Sequence, residues 1–380
     1  MSSVIVTAAE LAQRHIRRSD CVPCSDAFID CRIPGSMPKD NYSMIGPGVT
    51  QNAEQVINLR EPHGFQIGAA GMPPGVTNNL HLHFTSETFL CASGHYLLRW
   101  GAAGDEGELR LSPGDVACMP TWMFRGFSNV GSDYGFLMTV LGGDDTGGIL
   151  WSPEVIRKAR ATGLFLGRDN QLIDTLRPDG SFGDPPPDDA LLPPIPPGEL
   201  AQLRRWSADE MRGRCITLAE RDLRPATLDV ALPGHGWQLA PAIGFGLSQH
   251  RDHRPKVAEL QGFSVEWLRV PPGQGSAAFF TDERMVLVQM AGVLGVEFNR
   301  SDGVHATLGL HDTLSVQAGA WRRFVNHGAE PAEAIVVLAG DARKTPHFEP
   351  AVVQAALKQD VTLDAGGRLA RASVLPPPMD

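Results

Sequence analysis

The chain has 380 residues, 42% hydrophobic and 20% charged, with a formal net charge of -10. That length exceeds one small core and fits two domains of ordinary size. The charge argues against a general binder of nucleic acid or anionic membrane, which needs a basic face. No apolar run is long enough to span a bilayer. The stretch from Met1 to Gln13 lacks the basic-then-apolar order of a secretory signal. Six cysteines spread over a chain of this size form no disulfide framework, so reduced thiols and a cytoplasmic location are expected. With 41 glycines, 30 prolines and scarce helical periodicity, frequent turns between short apolar runs predict an all-β chain with few helices.

In chain order, the first expected element is a helix opened by a Thr7/Glu10 capping box and running through Arg18. It heads an arm over residues 1–42. In that arm Cys21-Val22-Pro23-Cys24 has zinc-like spacing, with His15 and Cys31 nearby, but no second Cys-x-x-Cys follows.

A repeat organises what comes next, and repeats decide architecture. Ile45-Gly46-Pro47-Gly48-Val49-Thr50-Gln51 recurs as Ile243-Gly244-Phe245-Gly246-Leu247-Ser248-Gln249, an offset of 198. Gly64-Phe65 and Pro73-Pro74-Gly75 recur at the same offset as Gly262-Phe263 and Pro271-Pro272-Gly273. At an offset of 197, Asn129 matches Asn326, Gly143-Asp144 matches Gly340-Asp341 and Pro153 matches Pro350. The units span 43–162 and 242–358. Strands are expected at Phe89 to Trp100, Gly107 to Leu111 and Tyr134 to Leu141 in the first. Each unit closes on a helix. In the first, Ser152 is the N-cap, Pro153 the first helical residue, and Gly163 lies past the end. The glycine-rich run 142–148 lacks the Gly-Lys-Ser/Thr ending of a phosphate loop and is read as a turn. Residues 163–241 form a proline-rich linker, with Asp184 to Pro197 extended and a helix near Glu199 to Arg212. Residues 359–380 are a tail, frayed at Pro376-Pro377-Pro378. Strands followed by one helix, duplicated, predict two β-barrels in tandem.

The first unit carries a ligand pattern. Gly75 is followed after five residues by His81-Leu82-His83, then after three by Glu87 and after six by Gly94. Residues two apart on a strand share a face, so His81, His83 and Glu87 can converge inside a barrel. Imidazole and carboxylate together suit iron, manganese, nickel, cobalt or zinc. The pattern resembles the first cupin motif at every fixed position. The second cupin motif is kept in part, at Gly114, Pro120 and Asn129, while Trp122 stands for its second glycine and Arg125 for its histidine ligand. No histidine lies between His95 and His235 to replace it. The resemblance implies a bicupin of double-stranded β-helix (jelly-roll) barrels with a few peripheral helices. At the matching places the second barrel has Phe279, Thr281 and Met285, so no metal is expected there.

Two readings of the site stay open. It is either a two-histidine, one-carboxylate set with open positions for substrate and dioxygen, or a barrel in which a guanidinium has weakened cation binding. Arg125 either pairs with a substrate anion or, since Arg322 matches it in the second barrel, braces the fold. Pro120-Thr121-Trp122-Met123-Phe124-Arg125 is similar to the Pro-Ser-Trp-x-Trp-His stretch of gentisate-type enzymes. The resemblance to gentisate and quercetin dioxygenases implies a metal-dependent dioxygenase acting on a small hydroxylated aromatic or enolic compound. It implies one divalent ion, iron first and manganese, nickel or zinc otherwise, with Arg125 orienting the substrate. Trp122, Phe89 and Met138 are expected as pocket walls, or else as core. Cys91 shares the parity of Glu87, and His63 is read as a surface or turn residue. The competing classes are a non-catalytic bicupin that binds a small molecule or sugar acid, and a metal-dependent isomerase or lyase. A homodimer is expected, with neither nucleic acid nor membrane as partner.

Overall fold

The computed structural model describes residues 4–300 and 303–376. The chain divides into two compact units, one of residues 21–218 and one of residues 1–20 with 219–380.

In the 21–218 unit two antiparallel sheets carry the first barrel. One runs in the order Ile149–Trp151, Thr77–His83, Arg125–Asn129, Tyr96–Trp100, Gly107–Leu111. The other runs Cys215–Ile216, Val116–Met119, Glu87–Ser93, Gly135–Gly142, Phe65–Met72, Asp40–Ile45, Ile57–Leu59, with only the last pair parallel. Burial follows position. Val116–Met119 is buried at every residue, whereas Gly107–Leu111, at the edge of its sheet, alternates exposed and covered positions. The expected single run from Phe89 to Trp100 is two strands, because Gly94 turns the chain at φ +81°. A Cβ at Gly94 would sit 2.6 Å from the Gly135 Cα, so the turn needs glycine twice over.

The second barrel is built the same way. Its sheets run His15–Ile16, Thr313–Val316, Met285–Ala291, Ala332–Ala339, Phe263–Val270, Gln238–Ile243, and His305–Leu308, Leu294–Phe298, Arg322–Val325, Phe279–Phe280, His347–Phe348. Its interior is aromatic: Trp237 stacks on Phe279 at 5.5 Å, and Phe324 and Phe348 pack against the same ring. The helices Pro153–Arg160 and Pro350–Lys358 close the two repeats as expected, although Ser152 makes no side-chain cap bond.

The duplication reaches beyond the residues that revealed it. Thr7 and Ser207 each cap a short helix, Ala8–Arg14 and Ala208–Arg212, through a complete capping box with Glu10 and Glu210. Each helix leads into a two-residue strand that covers a sheet edge, His15 opposite Leu314 and Cys215 opposite Ala117. Asp312 then accepts from the Arg18 amide and Asp115 from the Leu218 amide, both at 2.9 Å. The arm at the head of the chain thus completes the second barrel, and the arm at 207–218 completes the first.

Three expectations about the periphery change. The first helix stops at Arg14 instead of Arg18, because His15 turns to β conformation to pair with the strand Thr313–Val316. The helix expected near 199–212 is two short helices, Pro197–Leu200 and Ala208–Arg212. Between them Trp206 is held extended, its carbonyl accepting from Trp100 Nε1 at 2.8 Å and its amide donating to Glu106. The linker and tail also contain matching hairpins, Leu164–Leu166 with Leu172–Asp174 and Val361–Leu363 with Leu369–Arg371. The proline-rich stretch is extended, apart from one turn at Asp188–Ala190. Of the terminal prolines, Pro377 and Pro378 lie outside the described residues.

Candidate metal centre

His81 and His83 alternate along Thr77–His83 and so point to one face, while Glu87 opens the next strand after a tight turn. Their ligand atoms lie within 4.8 Å of one another, and all three side chains are buried. Arg125 is the Cα partner of His81 across the ladder, which sends its guanidinium to the same interior. Arg125 Nε donates to Glu87 Oε2 at 3.0 Å, Nη2 lies in ion-pair contact with the same oxygen at 2.9 Å, and Nη1 donates to the Met123 carbonyl at 3.1 Å. His83 Nε2 stands 3.6 Å from the same Glu87 oxygen.

Protonation follows from these surroundings. Burial, then the His83 and Arg125 charges, hold His81 well below its ordinary value, and burial with Arg125 lowers His83. Burial by itself would push Glu87 up, but Arg125 and His83 outweigh it and hold the carboxyl well below the usual range. Neutral imidazoles and an ionised carboxylate are the states in which these groups donate to a metal. His81 Nδ1 lies 2.7 Å from the Asn79 carbonyl, so that nitrogen carries the proton and Nε2 keeps the free lone pair. The residues therefore fit a divalent cation with three protein ligands, and they do so beside a guanidinium that already neutralises one of them.

His81, His83 and Glu87 line a cavity of about 50 Å³, shared with Gly68, Asn78, Phe127 and Thr139. Phe89, Met138 and Trp122, expected as walls, do not line it. Phe89 is core, edge-on to Phe127 at 5.2 Å. On the strand Gly135–Gly142, Thr139 and Leu141 face the cavity, so Met138 points to the other side of the sheet. Trp122 is 50% exposed and rests on Phe84. Its φ of +58° occupies the left-handed region, and the matching residue of the second barrel is Gly319 at +73°. That backbone explains why the cupin motif has glycine there. Cys91 is also core, and His63 is a buried turn residue whose amide donates to Asp144. His15 pairs with Asp312 at 3.1 Å. Cys21, Cys24 and Cys31 belong to no group of three ligands among the described residues. Burial pushes the Cys24 and Cys31 thiols up to about 11.

The whole chain was compared with known proteins. No family model and no curated protein sequence matches it. Solved structures do. The Bacillus subtilis oxalate decarboxylase structure at pH 4.6 is 13% identical, covering 98% of this chain and 89% of that one, with a TM-score of 0.53. The vicilin from Solanum melongena is 12% identical, with 90% and 88% covered and a TM-score of 0.54. The vicilin from Capsicum annuum is 11% identical, with 88% of each chain covered and a TM-score of 0.53. The fold is that of a bicupin. Identities this low carry the fold and nothing finer, and the neighbours include both an oxalate decarboxylase and vicilins.

The two barrels of this fold can be compared position by position. Asn129 and Asn326 each donate to two carbonyls, Met72 and Asp133 or Val270 and Glu330, all at 2.8 Å. Gln51 and Gln249 each accept from the amide of a neighbouring turn, Ile29 or Leu228. These shared residues brace the fold. The sequence did not single out Asn78, which the first barrel places beside His81, or Lys39, which donates to Asn78. Only the closed barrel brings Lys39 to a strand some forty positions later, so no local pattern announces it.

Proposed function

We propose that the first barrel binds one divalent metal ion through His81, His83 and Glu87 and acts on a small molecule held against it. The observation that supports this most is the convergence of three buried donors, each in its ligating protonation state, on one cavity. Such a set leaves positions for ligands other than protein, and a metal there supplies Lewis acidity or, if iron, redox chemistry. The chain's own contribution is a buried, braced frame. Arg125 holds the Glu87 carboxylate, and the Asn79 carbonyl fixes the tautomer of His81.

A dioxygenase acting on a small enolic or hydroxylated compound is the enzymatic reading we favour, with iron as the metal. The cavity of about 50 Å³ is well short of the ~150 Å³ in which an engineered apolar cavity takes up benzene. That size favours the enolic class over an aromatic ring. A second reading, a binding bicupin without turnover, is favoured by one contact, the guanidinium already seated on Glu87.

Metal content by mass spectrometry, on protein purified without chelators, tests the proposal beside His81→Ala and Glu87→Ala. About one equivalent in the parent, lost in both variants, supports the site. Oxygen uptake with enolic acids then separates enzyme from binder. Protein that carries no metal and takes none up on reconstitution would overturn it.

A further inference from the structure

Comparison of the two barrels sorts the interior residues into those both keep and those only the metal-ligand barrel has. Asp30 is matched by Asp229, and both are fully buried. Their partners differ. Asp229 accepts from Trp237 Nε1 at 3.1 and 3.0 Å. Asp30 instead faces Lys39, buried to 3% exposure, whose Nζ donates to both carboxylate oxygens at 2.7 and 2.8 Å. The third proton of Lys39 goes to Asn78 Oδ1 at 2.6 Å. At the place of Asn78 the second barrel has Ser276, whose hydroxyl accepts from the Phe324 amide. Lys39, Asn78 and the three metal-site residues are thus replaced together.

The Lys39 contact decides which way the Asn78 amide points. An ammonium has only donors, so the oxygen of Asn78 must face it and the nitrogen must face away. Asn78 is 5% exposed and lines the cavity that holds His81, His83 and Glu87. Its Nδ2 lies 3.2 Å from His81 Nδ1. That atom is the one whose proton goes to the Asn79 carbonyl at 2.7 Å, so it has no lone pair to offer. With the Nδ1 proton on the Asn79 carbonyl, the Asn78 amide faces the ligand cluster through a nitrogen whose one contact among the described residues is His81 Nδ1, a placement that an acceptor on an occupant would relieve.

We infer that Lys39 and Asn78 form an orienting pair that aims a fixed hydrogen-bond donor at the metal site, selecting small ligands that present an acceptor oxygen, anionic ones foremost. Lys39 is the positioning residue and Asn78 the residue that touches the ligand. The inference rests on the metal reading proposed above. A neutral charge balance within the site supports it: Lys39 offsets Asp30 and Arg125 offsets Glu87. A divalent cation added to neutral imidazoles then leaves net positive charge for an anion to meet.

The test uses full-length protein loaded with cobalt(II), bound cobalt being counted by mass spectrometry. Sodium acetate is titrated while the visible cobalt spectrum is followed. Asn78→Asp keeps an oxygen for Lys39 but turns the donor into an acceptor, and Asn78→Ser installs the residue of the second barrel. The expected result is cobalt retained in all three proteins, with acetate affinity falling about tenfold or more in both variants. Cobalt bound with acetate affinity equal in parent and variants overturns the orienting pair and leaves the metal site standing. Cobalt bound with no spectral response to acetate in the parent does the same. A parent that takes up no cobalt overturns both readings.

Discussion

Arg125 and Arg322 occupy matching positions in the two barrels, yet only Arg125 donates to a carboxylate. Both reach the carbonyl two residues back, Met123 at 3.1 Å and Ala320 at 2.9 Å. Beyond that they diverge. Arg125 grips Glu87, whereas Arg322 donates to Thr281 Oγ1 at 2.6 Å and lies over the Phe279 ring. Burial pulls Arg322 down to about 9. The shared contact braces a turn; the unshared one neutralises a buried acid.

The two arginines should therefore respond differently to removal. Breaking a buried pair leaves an uncompensated charge and costs roughly 3–5 kcal/mol. Arg125→Met should lose about that much stability in chelator-treated protein, with part restored by added divalent metal. Arg322→Met, which strands no carboxylate, should change stability by no more than about 1 kcal/mol, within the range of well-packed apolar replacements. Denaturant titrations with and without metal check both. An Arg125→Met protein as stable as the parent after chelation would show that Glu87 does not depend on it.

Glu266 gives the second barrel a pH dependence that lies far in sequence from the metal-site residues. Burial pushes its carboxyl up to about 8, against the opposing hydrogen bond from the Leu247 amide at 2.7 Å. A folded value above the unfolded one means that the native state holds the proton more tightly. Stability from this group is fully present below about pH 4.5 and lost as pH rises through about 8. The slope should approach ~1.4 kcal/mol per pH unit in that window. Glu266→Gln should flatten it. Equal slopes in parent and variant, measured by denaturation from pH 5 to 8, would refute the assignment.

Gly68 matches Glu266 and lines the metal-site cavity. A Cβ there would meet the Tyr42 carbonyl at 3.0 Å and Thr139 Oγ1 at 3.3 Å. Gly68→Val should cost about 1–3 kcal/mol by overpacking and weaken acetate binding to the cobalt protein, while the metal stays bound. Unchanged acetate affinity would mean that ligands reach the metal by another side.

The arms carry a local prediction. Thr7→Ala and Ser207→Ala each remove one cap and should cost about 1 kcal/mol. Deleting residues 1–16 uncovers the strand Thr313–Val316, since His15 and Ile16 pair with it. Amide exchange should then quicken in Thr313–Val316 and remain unchanged in Val116–Met119. A uniform change across both strands would contradict the assignment of each arm to its barrel.

Much of this was legible in the sequence because the repeat preserved residues with obligatory roles. Asn129 and Asn326, or Asp144 and Asp341, each satisfy two backbone groups, and their substitution would strand those groups. The triad was legible because strand geometry alone puts His81 and His83 on one face. The repeat of the arms was not legible although Thr7-Ala8 and Glu10 recur as Ser207-Ala208 and Glu210, since their offset differs from that of the barrels. The walls were misplaced for another reason. Alternation says that Met138 and Thr139 face opposite ways but not which of them faces in, and that depends on the neighbouring strands Phe65–Met72 and Glu87–Ser93. Lys39 had no signal short of the fold itself.

The chain crosses between its two units twice, at residues 20–21 and 218–219. The unit at 21–218 is contiguous and can mature while the ribosome is still making the rest. The other unit is assembled from segments on either side of it, so the earlier segment waits, with the Ile16 edge unpaired, until Thr313–Val316 emerges. Synthesis order therefore gives the barrel with His81, His83 and Glu87 a head start, and a premature stop after about residue 218 would release it with an orphaned leading arm.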